Sequence, residues 1–177
     1  MKIGLISDTH IPESASEVPA QVKTAFQEVE LILHAGDLHV LAVLDWLQAI
    51  APVLAARGDG DSGGGSRTPV PEDPRIKDAH MLNIEGVSVG LTHRLDYPEP
   101  SWRSLEAAMQ AEFEGRVDVI VFGGSHVALV ESYKGVLLVN PGSPTLPRGS
   151  RQLGTVGLLE VTKGEAQARI IDLESLT

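Results

Sequence analysis

The sequence predicts an α/β protein in which two mostly mixed sheets pack face to face between flanking helices. Two observations predict this fold. Short apolar runs alternate with segments of helical periodicity up to residue 56, whereas paired apolar runs joined by Gly-containing turns dominate from residue 79 onward. Because helices and sheets must each bury an apolar face, a two-sheet sandwich covered by helices accommodates both halves of the chain.

The composition indicates one soluble globular domain that spans residues 1–177. The chain is long enough for a sizeable core, 42% of its residues are hydrophobic, and no apolar stretch is long enough to span a bilayer. It contains no Cys, which excludes disulfides and thiolate metal sites. Met1 and Lys2 lead directly into an apolar run without a secretory leader, so we expect a cytoplasmic protein without a membrane partner.

The formal net charge of -10 makes the surface a poor electrostatic match for long nucleic acid. A metal site in such a protein can still bind a single phosphate group locally. The sequence does not decide the oligomeric state, and a homo-oligomer stays open.

The first half of the chain predicts alternating strands and helices. The apolar runs at residues 3–6, 31–33 and 53–56 have the length of buried strands. Between them, apolar residues recur at helical spacing over residues 18–29 and 39–50. Ligands of open α/β sheets bind beyond the carboxyl ends of the strands, so we expect functional side chains directly after these runs.

The second half predicts mainly hairpins. Residues 79–92 form the first, and a helix over residues 102–113 leads into a strand at residues 117–122. Two more hairpins follow over residues 127–139 and 156–171, each with a Lys-Gly turn. The sequence shows no internal repeat and no second domain.

Carboxylates and imidazoles follow five of these predicted strands: Asp8, His10, Asp37, Asp59, His93 and His126. Asp8 and His10 are two residues apart, so both side chains point to the same side of an extended segment and could hold one ion. The alternative is that Asp8 caps a turn and His10 is merely exposed. Gly36 permits a close backbone turn that places Asp37 at the end of its strand. Together these residues predict a metal site of carboxylates and imidazoles.

Two further histidines lie near the second strand. His34 precedes Gly36, and we expect it to be structural. His39 lies two residues past Asp37 and could support the metal ligands without binding the ion itself.

The Gly-rich stretch after the third strand matches two known patterns only in part. Glycines at positions 58, 60 and 63 have the spacing of a dinucleotide-binding loop, but prolines follow where a helix would begin. Asp59 and Asp61 have the spacing of a calcium loop, but Val70 stands where an acidic residue is needed. We reject both interpretations and predict a long flexible loop over residues 58–74 that presents Asp59 and helps to set specificity.

The motifs, in this order, resemble the calcineurin-like metallophosphoesterase superfamily. The short length resembles its small bacterial and archaeal phosphodiesterase branch, of which the Asn-Pro-Gly-Ser run at 140–143 and the pair Pro147 and Arg148 are also typical. The resemblance extends over nearly the whole chain. It implies a four-layer α/β/β/α sandwich with a two-metal centre between the strand ends.

The resemblance also implies a role for each motif residue. Asp8, His10 and His126 resemble the ligands of a first metal. Asp37 resembles the carboxylate that bridges both ions, and Asp59 and His93 resemble ligands of the second. Such ligands suit manganese, iron, nickel or zinc, and two such ions provide a hydroxide for in-line attack on the phosphorus of a small phosphoester substrate. Asp37, His93 and Arg94 are the expected catalytic residues.

Three positions depart from the family pattern around the second metal. Asp59 stands where the family usually has Asn, Gly124 where it has a His, and Arg94 where it usually has Gly. One hypothesis is that Asp59 chelates through both oxygens while Arg94 restores the attraction for phosphate, which favours singly charged phosphodiesters. The alternative is a weak or empty second site in a binding or scaffolding module. A membrane-coat subunit of this fold has drifted metal residues in the same way.

The sequence offers no obvious acid for the leaving group. Larger relatives place a His directly after the residue that corresponds to Asp59, where this chain has Gly60. Asp61 would be ionised unless buried, and His39 is a reserve candidate. Phosphodiesters with good leaving groups should therefore react best, because they need less protonation in the transition state.

Overall fold

The chain forms two sheets and three α-helices, and the computed structural model describes residues 1–64, 67–147 and 152–176. Arg148, which the sequence pairs with Pro147, lies outside the described residues. The elements in chain order are β1 (Lys2–Ile6), α1 (Ala20–Ala25), β2 (Leu31–His34), α2 (Ala42–Gln48), β3 (Val53–Ala56), β4 (Ile76–Lys77), β5 (Ala79–Ile84), β6 (Val87–Thr92), α3 (Leu105–Phe113), β7 (Val119–Val121), β8 (Leu129–Tyr133), β9 (Val136–Asn140), β10 (Thr155–Thr162) and β11 (Glu165–Asp172). Short 3-10 helices cover Gly60–Ser62 and Leu173–Leu176.

Both sheets are mixed. The first has the strand order β11-β10-β1-β2-β3-β4, in which β1 to β4 run parallel and β10 runs antiparallel to both of its neighbours. The second has the order β5-β6-β7-β9-β8, with β6, β7 and β9 parallel and the two edge strands antiparallel. The loops that leave β1, β2, β3, β6 and β7 carry the motif residues.

Three apolar clusters separate four layers. The first lies between the sheets and joins side chains such as Leu5 and Leu33 to Leu91 and Val121. The second lies on the outer face of the first sheet, where the segments of α1 and α2 pack. The third lies on the outer face of the second sheet beneath α3. The helix–sheet–sheet–helix order confirms the predicted four-layer sandwich.

The local sequence explains where α3 begins and ends. Ser104 caps its first turn by accepting a hydrogen bond of 3.2 Å from the amide of Ala107. Leu105, Met109 and Phe113 then recur at helical spacing and are buried. The helix ends at Glu114, which adopts a left-handed conformation with φ 58° and is followed by Gly115.

Every strand and helix that the sequence predicts is present, but all three helices are shorter than predicted, and α3 begins at Leu105 instead of residue 102. α1 and α2 span only 6 and 7 residues. The sequence did not predict β4, because a strand of two residues has no measurable periodicity. Arg57 and Ala55 of the neighbouring strand segment hold it by donating hydrogen bonds of 2.8 Å to the carbonyls of Lys77 and Arg75.

In the part of the chain that the structure describes, none of the helices is long and apolar enough to cross a membrane.

Candidate metal centre

Five of the six predicted metal ligands converge where the carboxyl ends of the strands of both sheets meet. Asp8 and His10 follow β1, Asp37 follows β2, His93 follows β6 and His126 follows β7. Their nitrogen and oxygen atoms form two overlapping groups, one of Asp8, His10 and His126 and the other of Asp8, Asp37 and His93, with all candidate ligand atoms of a group within 4.8 Å of one another. Residues as far apart as 8 and 126 therefore meet at one place.

The first group has the spacing of a metal site. The Nε2 atoms of His10 and His126 are 3.2 Å apart, and they lie 3.8 Å and 3.5 Å from Oδ1 of Asp8. A tetrahedral ion with bonds of about 2.0–2.1 Å keeps its ligand atoms about 3.4 Å apart. The two imidazoles and the carboxylate thus fit a divalent transition metal with little movement.

Asp37 lies between the two groups. Its Oδ2 atom is 3.6 Å from Nε2 of His10 and 3.6 Å from Nε2 of His93. A carboxylate has four lone-pair positions, so one group can contact cations on two sides. The position of Asp37 is therefore compatible with the bridging role that the family resemblance implies.

Backbone carbonyls orient two of the imidazoles. Nδ1 of His93 lies 2.7 Å from the carbonyl of Ala35, and Nδ1 of His126 lies 3.2 Å from the carbonyl of Leu146. A carbonyl oxygen only accepts, so each Nδ1 donates its proton and each Nε2 points towards the carboxylates. A cation placed there would bind the Nε2 lone pair, which is the arrangement that a metal ligand requires.

Asp8 is ionised although it is completely buried. Burial by itself raises the pKa of this carboxyl, but hydrogen bonding to His10 and the nearby His93 and His126 outweigh burial, so the pKa lies below its usual value. The amide of Gly124 donates to both oxygens at 3.2 Å and 3.0 Å. A buried anion held between imidazoles is a suitable partner for a cation.

Four of the converging residues adopt the left-handed conformation, which is rare for residues with a Cβ: Asp8 (φ 55°), His10 (φ 45°), Asp37 (φ 57°) and His126 (φ 59°). Each such residue stores strain of about 1–3 kcal/mol, which persists only when the surrounding structure enforces it. The amide of Asp8 donates to the carbonyl of Gly36 at 2.9 Å, and the amide of His10 donates to the carbonyl of Asp37 at 3.0 Å. These hydrogen bonds lock the loops after β1 and β2 together.

Gly123 is required by the close approach of the loops. A Cβ at this position would lie 2.0 Å from Oγ of Ser7 and 2.8 Å from Oδ2 of Asp8. Gly124 differs, because the three atoms nearest to a Cβ there all belong to His93, and the first of them, Nε2, lies at 3.6 Å. The place where the family carries a His is thus open in this chain, although its backbone φ is +77°.

Asp59, the sixth predicted ligand, is not brought into any of the ligand groups formed by the described residues. Its carboxylate pairs instead with the guanidinium of Arg94, and the two side chains are 56% and 76% exposed. The amide of the next residue, Gly60, contacts the cluster by donating to Oδ1 of Asp37 at 2.7 Å. The backbone of this turn therefore faces Asp37, whereas the Asp59 side chain faces the solvent.

Asp61 anchors the loop that the sequence predicts to be flexible. It is fully buried, and its carboxylate accepts hydrogen bonds from the amides of Asp37 (3.0 Å), His39 (2.8 Å) and Gly58 (2.8 Å). The prediction of a flexible loop is therefore wrong for its first turn, because these hydrogen bonds join that turn to the loop after β2. A carboxylate with three amide donors is a structural group, and it is not available as an acid.

His34 is structural, as the sequence indicates. Nδ1 accepts from the amide of Gly36 at 3.1 Å, and Nε2 lies 3.2 Å from Oγ1 of Thr9. Burial lowers the pKa of His34 to about 3, so the ring is neutral at physiological pH.

His39 supports His10 from outside the cluster. Their rings meet edge to face with centroids 4.5 Å apart. Nδ1 of His39 lies 2.8 Å from Oε2 of Glu13, and Nε2 accepts from Nη1 of Arg67 at 3.0 Å. Although His39 forms a third group with His10 and Asp37, Arg67 occupies its free nitrogen. Sequence reasoning missed Glu13 and Arg67, because nothing in their local sequence marks them.

An open cavity of about 910 Å³ adjoins the cluster on the side of Asp37 and His93. Asp59 and Arg94 lie at its edge, and the segment of residues 95–98 forms part of its wall. A small molecule in this cavity would reach the converging side chains directly.

A four-layer sandwich with a carboxylate–imidazole cluster at its strand ends is the architecture of a metallophosphoesterase. Residues 1–164 match the sequence model of the calcineurin-like phosphoesterase superfamily domain, so the chain belongs to this superfamily. Metallophosphoesterases bind divalent metals, and the donor set described above is of that kind.

Relatives from archaea are similar over most of the chain. A probable metallophosphoesterase from Methanothermobacter thermautotrophicus is 40% identical over 148 residues, which cover 84% of this chain and 80% of the relative. A phosphodiesterase from Methanocaldococcus jannaschii is 26% identical and covers 97% of this chain and 100% of the relative. Among solved structures, Vps29 complexed with zinc from Entamoeba histolytica has a TM-score of 0.67 at 20% identity, covering 98% of this chain and 99% of that chain. This last similarity concerns the fold alone.

Proposed function

We propose that this protein is a metal-dependent phosphodiesterase. The observation that carries the proposal is the convergence of three imidazole Nε2 atoms on the carboxylates of Asp8 and Asp37, at N–O separations between 3.5 Å and 3.8 Å, beside an open cavity. The name of the similar Methanocaldococcus protein, a phosphodiesterase, supports the choice of substrate class.

Asp8, His10 and His126 would hold the first cation, and Asp37 and His93 would contact the second. Manganese, iron, nickel and zinc all suit this donor set. When bound, such cations supply Lewis acidity towards the phosphoryl oxygens and lower the pKa of a coordinated water to about 7. The second position should bind more weakly, because Asp59 is engaged by Arg94 and Gly124 has no side chain.

Arg94 is the proposed phosphate contact. It lines the cavity beside Asp37 and His93, and its guanidinium is exposed and held at the edge by Asp59. A guanidinium can donate two parallel hydrogen bonds to phosphoryl oxygens. Because Asp59 cancels part of its charge, the site should favour the single charge of a phosphodiester over the double charge of a monoester.

No acid for the leaving group stands out among the described residues around the cluster. Asp61 is committed to three amides, and Nε2 of His39 accepts from Arg67. We therefore expect water to protonate the leaving group, and rates should depend strongly on the pKa of the departing alcohol or phenol.

The test is hydrolysis of bis(p-nitrophenyl) phosphate beside p-nitrophenyl phosphate, with protein stripped of metal and then loaded with manganese. We expect manganese-dependent turnover of the diester, a lower rate for the monoester, and loss of both in Asp37→Asn. Asp45→Asn, a change of the same kind at an exposed position on α2, is the matched control. Equal rates for Asp37→Asn and the parent protein would reject the proposal.

A binding role is the second candidate, and the pairing of Asp59 with Arg94 favours it. If this ion pair and Gly124 leave the second position empty, the cluster can hold one cation as a structural element without turnover. The similarity to Vps29, whose crystal structure contains zinc, concerns the fold and is compatible with this role. Metal analysis that finds one bound ion per chain, together with no hydrolysis by any metal form, would favour it.

A further inference from the structure

Five apolar side chains line the cavity beside the candidate metal centre and are called its apolar wall. They are Leu95, Tyr97, Phe122, Val127 and Leu129. These residues come from the loop after β6, the connection between β7 and β8, and the start of β8. Asp37 and His93 line the same cavity, so a molecule bound at the cluster could reach these apolar side chains.

Two aromatic side chains belong to this wall. The chain contains three Phe, two Tyr and two Trp, and one Phe and one Tyr line the cavity. The Tyr97 ring packs edge to face against Tyr133 with centroids 5.4 Å apart. Its hydrogen bond with Glu131 raises the pKa of the Tyr97 phenol, so the hydroxyl stays protonated and engaged. A ring held in this way is a preorganised surface for another flat apolar group.

The charges around the cavity disfavour a second anionic group beside the phosphate. Asp59, Asp96 and Glu131 line the cavity, and Arg94 is the only Lys or Arg among the described residues that do so. Asp59 pairs with Arg94 and Asp96 with Arg103, so Glu131 carries the charge that no ion pair among the described residues offsets. A second phosphate or a carboxylate next to Glu131 would be repelled. The same repulsion acts on a leaving group, which gains negative charge as its bond to phosphorus breaks. The group that stays attached to phosphorus gains no such charge.

We propose that this cavity binds the retained ester group of a phosphodiester, and that this group is uncharged and aromatic. The inference rests on the proposed phosphodiesterase function and narrows its substrate class. A volume of about 910 Å³ accommodates such a group together with the phosphate. The leaving group departs towards the solvent, where water protonates it.

The kinetic test compares phenyl p-nitrophenyl phosphate with methyl p-nitrophenyl phosphate on the manganese-loaded protein. Both release p-nitrophenol, and only the retained group differs. We expect kcat/KM to be about tenfold or more higher for the phenyl ester, since even one methylene in an apolar pocket changes kcat/KM by about tenfold or more. Equal kcat/KM for the two esters would overturn the inference.

Two variants on β8 distinguish an effect of the cavity on kcat/KM from a difference in the intrinsic reactivity of the two esters. Leu129 lines the cavity, whereas its neighbour Val130 does not line it and is 38% exposed. Leu129→Ala should lower kcat/KM for the phenyl ester and leave the methyl ester within about twofold, while Val130→Ala should change neither ester. A folding defect would lower kcat/KM for both esters together. A phenyl preference that survives in Leu129→Ala would contradict the inference.

A binding measurement distinguishes failure of the inference from failure of the proposed function. Calorimetry on the manganese-loaded protein would give the Kd of diphenyl phosphate and of dimethyl phosphate. We expect about tenfold tighter binding of diphenyl phosphate, lost in Leu129→Ala and kept in Val130→Ala. Tighter binding of diphenyl phosphate without turnover of either p-nitrophenyl ester would reject the proposed phosphodiesterase function and support the aromatic specificity of the cavity. Equal Kd values for the two phosphates would reject that specificity.

Discussion

Asp59 and Arg94 form an ion pair at the edge of the cavity, so two residues that depart from the family pattern are bound to each other. Both side chains are more than half exposed, and an exposed pair contributes little to stability, about 0–1 kcal/mol. The pairing would matter for the proposed function, because it withdraws a carboxylate from the second metal position and holds the guanidinium at the edge of the cavity, where it could donate to a phosphate. Either partner changes the site when it is replaced.

Arg94→Ala should lower the kcat/KM for a phosphodiester by about tenfold, since a hydrogen bond to a charged group contributes about 1.5–3 kcal/mol. Metal content should stay unchanged, and the free energy of unfolding should shift by less than about 1 kcal/mol. Steady-state kinetics and metal analysis of the same samples measure both. Arg116→Ala, which removes an Arg that donates to backbone carbonyls elsewhere, is the control. Unchanged kinetics in Arg94→Ala would remove its phosphate role.

Gly124→His should raise the number of divalent ions bound per chain, because it adds an imidazole beside the predicted ligand His93. A Cβ at position 124 would lie 3.6 Å from Nε2 of His93. The cost is a side chain at φ +77°, about 1–2 kcal/mol. Gly124→Ala carries the same backbone cost without an imidazole. Metal titration followed by calorimetry should show the gain only in Gly124→His. An equal metal content in both variants would mean that this position does not limit the second site.

Asp61→Ala should destabilise the fold far more than Asp59→Ala, although the two carboxylates are two residues apart. Asp61 is buried and accepts three amide hydrogen bonds, so its loss should cost about 3 kcal/mol or more. Asp59 is exposed, and its loss should cost less than about 1 kcal/mol. Urea unfolding of both variants measures the difference. Similar unfolding midpoints would contradict the structural role of Asp61.

Stability should fall in mild acid partly through His34. Its pKa is about 3 in the folded protein and near 6.5 when unfolded, so the unfolded chain binds the extra proton between these values. The contribution of neutral His34 to the free energy of unfolding is complete above pH 6.5 and is lost as the pH falls towards 3. The free energy of unfolding then changes by up to about 1.4 kcal/mol per pH unit. Urea unfolding across this range should show a shallower slope in His34→Gln.

His80 is the control for this pH dependence, because burial lowers its pKa in the same direction. His80→Gln should remove its own share of the slope and leave that of His34 intact. If His34→Gln kept the full slope of the parent protein, the neutral state of His34 would not be the source of the acid sensitivity.

The cluster could be predicted from the sequence because the chemistry lies at strand ends. An apolar run followed by Asp8 and His10, or by Asp37 or His93, places a polar side chain at the edge of a sheet whatever the rest of the chain does. Parallel strands then bring these edges together. The five converging residues were therefore found without coordinates, while their binding of metal stays a prediction. The contacts of His39 with Glu13 and Arg67 could not be predicted from the sequence, because they join three loops that share no sequence pattern.

The sequence by itself determined the layered fold, the family and the residue types at the candidate metal centre, since these depend on periodicity and on the order of motifs along the chain. Only the tertiary structure decided which carboxylate of the turn after β3 faces inward. Asp59 and Asp61 are chemically identical and two residues apart, and the local sequence does not distinguish them. The amides of the loop after β2 select Asp61, because a buried carboxylate needs donors, and Asp59 is left to Arg94 and the solvent.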